Sequence, residues 1–192
     1  MADNRNINHM IQRLGNRDLG VQSEAKAILL RLGTEVVDAL MKAIYEQNGR
    51  IRQQAIDILG QIGDVRAVAH LVTALNDRHM LVRMRAAQAL GKIGSQEAVP
   101  ALCSALYDTD SMVRTWAAWS LGEIGDPRAV DTLVAALEAE DGSTRVMCVK
   151  ALHELGDPRA LEALMSLRND PDAHVRKNVQ QALDTFGYAF DG

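Results

Sequence analysis

Two tryptophans are the side chains of this sequence that are best suited to bind another molecule. Trp116 and Trp119 are the only two tryptophans among the 192 residues, and they lie three positions apart. Residues with this spacing project from the same side of a helix, so the two indole rings should be neighbours. Tryptophan is enriched among the few residues that carry most of the affinity of a protein interface. The pair therefore predicts a partner-binding site, unless either ring instead fills a groove between neighbouring helices.

The polar residues do not form a constellation that is typical of catalysis or metal binding. His153 and Glu154 form a single His-Glu pair, and the other histidines lack the spacing of metal ligands. The sequence has neither a Gly-rich phosphate loop nor a Ser/His/Asp set at an interpretable spacing. We therefore expect no catalytic residue, no metal and no cofactor.

The cysteine content and the first residues indicate the compartment. Cys103 and Cys148 are too few for a disulfide scaffold, which favours a reducing environment. The start of the chain lacks the apolar segment of a signal peptide, and no run of apolar residues is long enough to span a membrane. We expect a cytoplasmic protein that makes no membrane contact.

A self-similar segment recurs with a period of about 31 residues, which is the signature of a repeat architecture. The stretch VRMRAAQALGKIG, which begins at Val82, returns as VRTWAAWSLGEIG at Val113. Six copies, the first of them degenerate, begin at Val21, Ile51, Val82, Val113, Thr144 and Val175.

Each copy has the pattern of two helices, A and B. Apolar residues of helix B recur at offsets 0, 4, 8 and 11 from the copy start, which places them on one stripe. A glycine such as Gly125 follows, where a left-handed residue ends a helix, and Asp126 and Pro127 then supply the cap and first turn of the next helix A. One hairpin cannot bury both faces alone, so we expect the hairpins to stack into an α-solenoid.

The recurring string Val-Arg-x-x-Ala-x-x-Ala-Leu-Gly-x-Ile-Gly-Asp resembles the HEAT-repeat family, in particular the short HEAT-like units of the phycobilisome (PBS) lyase type. The resemblance implies an all-α fold, a right-handed α-solenoid or superhelix of about six two-helix repeats. It also implies a single domain over residues 1–192, in which helix B starts near residues 21, 51, 82, 113, 144 and 175.

The resemblance further implies a ladder of charge-assisted hydrogen bonds between adjacent repeats. An acidic residue stands six positions before the helix B arginine in four copies, as Asp77 does before Arg83. Ala139 replaces the acid in the fifth copy, and Gln22 replaces the arginine in the first. We expect a bend at the fifth copy and a capping role for the first.

In such an array helix B lines the concave face, and offsets 3, 6 and 10 point away from the buried stripe. Trp116 and Trp119 occupy two of these offsets, so we expect them to anchor a partner. Five further residues are expected at this site, Met84, Met147 and Tyr107 to complete an apolar patch and Arg85 and Lys150 to orient the partner.

The charge balance argues against nucleic acid as the partner. Basic and acidic residues are equally frequent at the three exposed offsets, and the formal net charge of the chain is −4. A nucleic-acid groove needs clustered basic residues to neutralise phosphates.

We therefore expect a non-catalytic scaffold or adaptor that binds a protein partner through the helix-B face. The resemblance leaves one alternative open, a phycobilin lyase-like or phycobiliprotein-handling subunit. Such a subunit would bind a linear tetrapyrrole (a bilin) over the tryptophans. If it were an enzyme, its reaction would be attachment of the chromophore. A third interpretation rests on Phe186, Tyr188 and Phe190, which suit either self-association or a lid on the last repeat.

Overall fold

The structure, a computed structural model, describes residues 4–139 and 141–187. The chain divides into two compact units, Met1–Ser95 and Gln96–Gly192. The regular structure of the described residues is helical, which confirms the all-α prediction. None of the helices in this part of the chain has the length and apolar character needed to cross a membrane. Tyr188 and Phe190 lie outside the described residues, and the single domain and the right-handed superhelix stay predictions.

The helices of both units alternate between short and long. The first unit contains α1 (Asn4–Arg13), α2 (Leu19–Leu32), α3 (Val37–Ala43), α4 (Gly49–Ile62), α5 (Val68–Ala74) and α6 (Met80–Ile93). The second unit contains α7 (Val99–Ala105), α8 (Ser111–Ile124), α9 (Val130–Ala135), α10 (Gly142–Leu155), α11 (Leu161–Ser166) and α12 (Ala173–Thr185). The even-numbered helices are the B helices. Within each unit they pack against one another, α4 against α6 and α10 against both α8 and α12.

The B helices begin two residues earlier than the repeat pattern suggests. Helix α8 begins at Ser111 rather than Val113, because the side chain of Asp110 accepts a hydrogen bond from the Met112 amide and caps the first turn. The repeat pattern marks the first buried residue, whereas the cap decides where the helix begins. The predicted ends are confirmed, since Gly125 follows α8 in the left-handed region with φ 70°.

Five of the A helices, α3, α5, α7, α9 and α11, each follow a 3-10 turn that the sequence did not predict. Residues Pro127–Ala129 form this turn before α9, and Asp126 caps it by accepting from the Arg128 amide. The guanidinium of Arg128 also binds the Asp126 carboxylate. The same Asp-x-Arg arrangement recurs at Asp64 and at Asp157.

The apolar stripe predicted for the B helices is buried, as expected. In α8, Val113, Ala117 and Leu121 are fully buried, whereas Ile124 at the last offset is half-buried. The buried face is also wider than the stripe, since Ala118 and Ser120 are buried as well. A helix that packs against more than one neighbour buries more than one row of side chains.

Arginines at the start of the B helices connect consecutive repeats. The carboxylate that each one binds is not the one six residues earlier, as the sequence suggests, but that of the following repeat. The Nε and Nη2 atoms of Arg52 donate to the two carboxylate oxygens of Asp77, at 2.8 and 3.0 Å. Its Nη1 atom donates to the backbone carbonyl of Glu46, six residues earlier, at 2.8 Å. The residue at the acidic position of a repeat thus binds two arginines. Its backbone carbonyl accepts from the arginine of the same repeat, and its carboxylate accepts from the arginine of the preceding repeat.

We call each arginine together with its two acceptors, the backbone carbonyl and the carboxylate, a rung. The hydrogen bond to the carbonyl persists where the acidic residue or the arginine is replaced. The Nη1 atom of Arg145 donates to the carbonyl of Ala139 at 2.8 Å. In the first copy, the amide of Gln22 donates to the carbonyl of Asn16, again six residues earlier. Backbone acceptors are available whatever the side chain, so this contact survives both substitutions.

Two glycines allow adjacent B helices to lie unusually close together. A Cβ atom added at Gly60 of α4 would lie 2.7 Å from the Cβ and 2.8 Å from the Cα of Ala89 on α6. At Gly122 of α8 the corresponding distances to Ala151 on α10 are 3.2 and 3.1 Å. A side chain at either position has to push the next helix away.

We predict that Gly60→Ala lowers the free energy of unfolding by about 1 kcal/mol, because overpacking outweighs the better helix propensity of alanine. Gly122→Ala is the matched control, where the looser approach leaves stability nearly unchanged. Urea unfolding followed by circular dichroism measures both variants. A Gly60→Ala variant that is more stable than the parent would contradict the close approach.

Acid sensitivity should report on the Arg52–Asp77 pair. Burial raises the pKa of Asp77, but hydrogen bonds from Arg52 and from the His79 amide outweigh it, so the pKa is lowered from its usual value. A carboxyl with a lowered pKa contributes stability above its unfolded pKa of about 4 and loses it as the pH falls through the folded pKa.

We predict that Asp77→Asn costs about 2 kcal/mol of unfolding free energy at pH 7, and that this cost shrinks at pH 3. Urea unfolding at the two pH values measures the difference. Asp38→Asn is the control, because its ion pair with Arg66 is exposed and should change stability little. An equal cost of Asp77→Asn at both pH values would contradict the assignment.

Candidate functional site

The two tryptophans lie together on α8, as their spacing predicts. The rings of Trp116 and Trp119 meet edge to face, with centroids 5.3 Å apart and an interplanar angle of 80°. Such aromatic pairs are held by their complementary ring charge distributions as well as by burial. Both residues are half-buried, so part of each side chain remains accessible.

The next helix carries two of the residues expected beside the tryptophans. Met147 and Lys150 hold the corresponding offsets of α10, which packs against α8. Met147 is half-buried, whereas Lys150 is exposed. An accessible ammonium group on the same helix face can pair with a negative group of a partner.

The first unit holds two further residues that were expected at the site, Met84 and Arg85. Met84 is only 8% exposed, so the expectation that it offers apolar surface to a partner is wrong; its side chain is covered, whereas Thr115 and Val146 at the same offset are half-buried. Arg85 is half-buried, and its Nη1 atom donates to the side-chain oxygen of Gln88 at 2.8 Å. Arg85 therefore keeps only part of its guanidinium available.

Tyr107 lies at a cavity whose lining does not include the tryptophans. The residue is 63% exposed and precedes α8. The cavity has a volume of about 380 Å³ and is lined by Leu106, Tyr107, Asp108, Arg114, Ala135, Ala136, Glu138 and Ala139. The structure thus places Tyr107 at the rim of the repeat stack, beside the arginine of its own repeat.

A groove on the B face of the second unit was not expected from the sequence. It has a volume of about 550 Å³ and is lined by Lys150, His153, Glu154, Asn178, Gln181 and Thr185 of α10 and α12. His153 occupies the repeat position of Gly60 and Gly122, so an imidazole stands where a glycine elsewhere allows the next helix to approach. The replacement of glycine by histidine at this offset was the signal that could have predicted the groove.

The two thiols have weak nucleophilic character. Burial raises the pKa of Cys148 to about 12. Cys103 is half-buried; desolvation raises the pKa of its thiol despite a hydrogen bond with the Thr132 side chain. Both groups stay protonated near neutral pH, and the thiolate is the reactive form of cysteine. Within residues 4–139 and 141–187, no group of three or more His, Cys, Asp or Glu side chains is arranged to hold a metal ion.

Comparison with solved structures finds similar helical repeats. A chain in the complex of CpcE and CpcF of phycocyanin lyase from Nostoc sp. PCC7120 superposes with a TM-score of 0.69 at 25% sequence identity. The similarity covers 77% of this chain and 63% of that chain, so this chain spans less than two thirds of the lyase chain that it matches.

Two artificial proteins share the fold over nearly their whole length. An engineered protein matches with a TM-score of 0.64 and 23% identity, covering 94% of this chain and 96% of that chain. A designed armadillo repeat protein in complex with the peptide (KR)4 matches with a TM-score of 0.65 and 20% identity, covering 94% and 99%. These likenesses concern the fold alone.

The sequence itself matches one family model. No curated protein is similar enough to match the sequence. The model for HEAT repeats matches residues 7–83, 68–145 and 130–189, which together span almost the whole chain. Together with the stacked hairpins and the arginine rungs, this match shows that the chain belongs to the HEAT-repeat family.

Proposed function

We propose that the chain is a non-catalytic scaffold that binds a protein partner through the helix-B face of its second unit. The observation that carries the proposal is the edge-to-face pair of Trp116 and Trp119, half-buried on that face. A pre-packed aromatic pair offers a large apolar area and loses little conformational freedom when a partner covers it.

The repeat supplies an internal comparison for these two positions. The other copies of the B helix mostly carry polar residues at the same offsets, such as Gln54, Arg85 and Asn178 in place of Trp116, and Asp57 and Lys150 in place of Trp119. The offsets therefore suit solvent-facing side chains, and the fold does not require an aromatic residue there. A function in binding accounts for two large rings at such positions, since covering their accessible area stabilises a complex.

The surroundings of the pair favour a partner with both apolar and charged groups. Met147 on α10 adds a flexible, polarisable side chain at the offset of Trp116, and Lys150 adds an exposed positive charge. Glu123 on α8 and Glu154 on α10 are exposed acidic residues of the same face. Mixed charges around an apolar centre orient a protein partner, whereas a polyanion would need a surplus of basic residues.

We predict that replacing both rings, Trp116→Ala/Trp119→Ala, weakens binding of the partner at least tenfold, because loss of a hot-spot aromatic costs about 2 kcal/mol or more. Affinity capture from lysate of the native host identifies the partner, and a titration with the purified partner gives the Kd. Met112→Ala is the matched control: Met112 is 49% exposed near the start of the same helix, and its loss should leave the Kd unchanged.

Thermal unfolding of the same variants separates binding from packing. The account requires that the double variant keeps its helical circular dichroism and a cooperative transition while the partner is lost. A large fall in Tm with an unchanged Kd would assign both rings to the packing of the repeats.

The similarity to a phycocyanin lyase chain supports a second candidate function. In this alternative the chain is a phycobilin lyase-like or phycobiliprotein-handling subunit, and a linear tetrapyrrole stacks on Trp116 and Trp119. The ammonium group of Lys150 would pair with a propionate of the bilin. Both candidate functions use the same two rings, so they differ in whether a protein or a bilin binds there.

The bilin alternative predicts a shift of the visible absorbance band when free bilin is mixed with the purified chain. The shift should saturate at one bilin per chain, and should disappear in Trp119→Ala but persist in Met112→Ala. An unchanged spectrum at micromolar protein and bilin would eliminate this candidate and leave the protein partner.

A further inference from the structure

One rung of the arginine ladder lacks half of its acceptor. In two complete rungs the Nε and Nη2 atoms bind both oxygens of one carboxylate, Arg52 with Asp77 and Arg145 with Asp170, at distances between 2.8 and 3.0 Å. Ala139 holds the position of Asp77 and Asp170 in the fifth repeat. Arg114, the arginine of the preceding repeat, therefore meets a methyl group where the others meet a carboxylate.

Two of the three donor nitrogens of Arg114 are nevertheless satisfied. Nη1 donates to the backbone carbonyl of Asp108 at 2.8 Å, as in the other rungs. Nη2 donates to one carboxylate oxygen of Asp141, whose other oxygen accepts the Thr144 amide at 2.7 Å and caps α10. Asp141 thus replaces only part of the missing acid, because one of its oxygens is engaged in capping.

The third nitrogen, Nε of Arg114, is buried and has no hydrogen-bond partner among the described residues. A buried donor atom without a partner is costly, and in native proteins such an atom usually marks a missing acceptor. Arg114 also lines the cavity of about 380 Å³ at Tyr107, together with Ala139. The residue with the unpaired donor and the alanine that replaces the acid therefore line the same cavity.

The shape and charge of this cavity fit a small acidic group. Ala135, Ala136 and Ala139 leave room, and Tyr107 stands exposed at its edge. Asp108 and Glu138 line the cavity as well and oppose a negative ligand.

The complete rung at Arg145 shows that nearby acidic residues do not prevent a carboxylate from binding. Asp141 and Asp172 lie close enough to act on the Arg145 guanidinium, yet the Asp170 carboxylate binds it through two hydrogen bonds. The bidentate hydrogen bonds outweigh both the repulsion and the cost of desolvation in that rung, since they keep the pKa of Asp170 below its usual value although burial raises it.

We propose that the cavity beside Ala139 is a carboxylate-binding site, in which the ligand accepts a hydrogen bond from Nε of Arg114 and completes the rung. The ligand carboxylate takes the place that the Asp170 side chain has at Arg145. It comes either from a small carboxylic acid or from an aspartate or glutamate side chain of a peptide segment. This site is separate from the tryptophan face and does not depend on the partner proposed there.

The arginine Nε–Hε resonances of the labelled full chain test the site directly. Sodium acetate is the probe, and sodium chloride at equal ionic strength is the reference. We expect a saturable shift of the Arg114 resonance in acetate only, whereas the resonances of Arg52 and Arg145 stay unchanged. Ala139→Asp should abolish the shift by filling the position with the chain's own carboxylate, and Ala139→Asn should retain it at least in part.

A second variant creates the same gap at another rung. Asp77→Ala leaves Arg52 without its carboxylate, and its Nε resonance should then respond to acetate as that of Arg114 does in the parent. We also expect acetate to raise the Tm of Asp77→Ala. This measurement is independent of whether Ala139→Asp folds well. A response of Arg52 in Asp77→Ala without one of Arg114 in the parent would overturn the proposal.

The source of the carboxylate is decided by two tripeptides, acetyl-Gly-Asp-Gly-amide and its Asn analogue. A shift with the Asp peptide at concentrations at least tenfold lower than with acetate indicates a side-chain ligand, whereas equal or weaker binding indicates a small acid. No shift with any carboxylate overturns the proposal. The same holds if Arg114 responds to acetate only in Glu138→Gln or Glu140→Gln, since the chain then supplies the acceptor itself in the parent.

Discussion

The hydrogen bonds donated by the guanidinium groups at the start of the B helices are the interaction on which the rest of each unit depends. A short helix and a long helix cannot bury both of their faces alone, so every hairpin must be fixed against the next one. Arg52 does so by binding a backbone carbonyl of its own repeat and the Asp77 carboxylate of the following repeat. The same group thus closes the A–B loop and sets the position of the next hairpin. Arg145 and Asp170 repeat this geometry in the second unit.

The proposed sites lie where individual repeats depart from this frame. His153 stands in the fifth copy where Gly60 and Gly122 allow close helix approach, and a groove lies beside it. The polar offsets of the B face are replaced by a tryptophan pair in one helix, and one ladder acid is replaced by Ala139. Each replacement leaves the backbone of the repeat intact, because neighbouring residues continue to supply the buried stripe and the carbonyl acceptors. A regular scaffold can therefore carry local sites without losing stability elsewhere.

Much of the fold could be predicted from the sequence, because its signals are local and recur in every copy. The stripe, the left-handed glycines and the Asp-Pro caps are each decided within a few residues. The sequence could not show that Met84 is buried, since the same offset is half-buried at Thr115 and exposed at Lys177. It also suggested the wrong partner for the ladder acids: sequence proximity joins Asp77 to Arg83, whereas folding brings its carboxylate to Arg52. The identity of the partner proposed to cover the tryptophans leaves no local signal in this sequence.

The intrinsic fluorescence of the chain tests the central claim most directly, because Trp116 and Trp119 are its only tryptophans and their emission reports on this face alone. The measurement is a titration of the chain with its purified partner, in which a tryptophan-free variant of the partner or selective labelling removes other signals. The account predicts a blue shift of the emission and a saturable loss of acrylamide quenching as the rings become covered. Emission and quenching that stay unchanged while the partner binds would place the interface elsewhere and contradict the account.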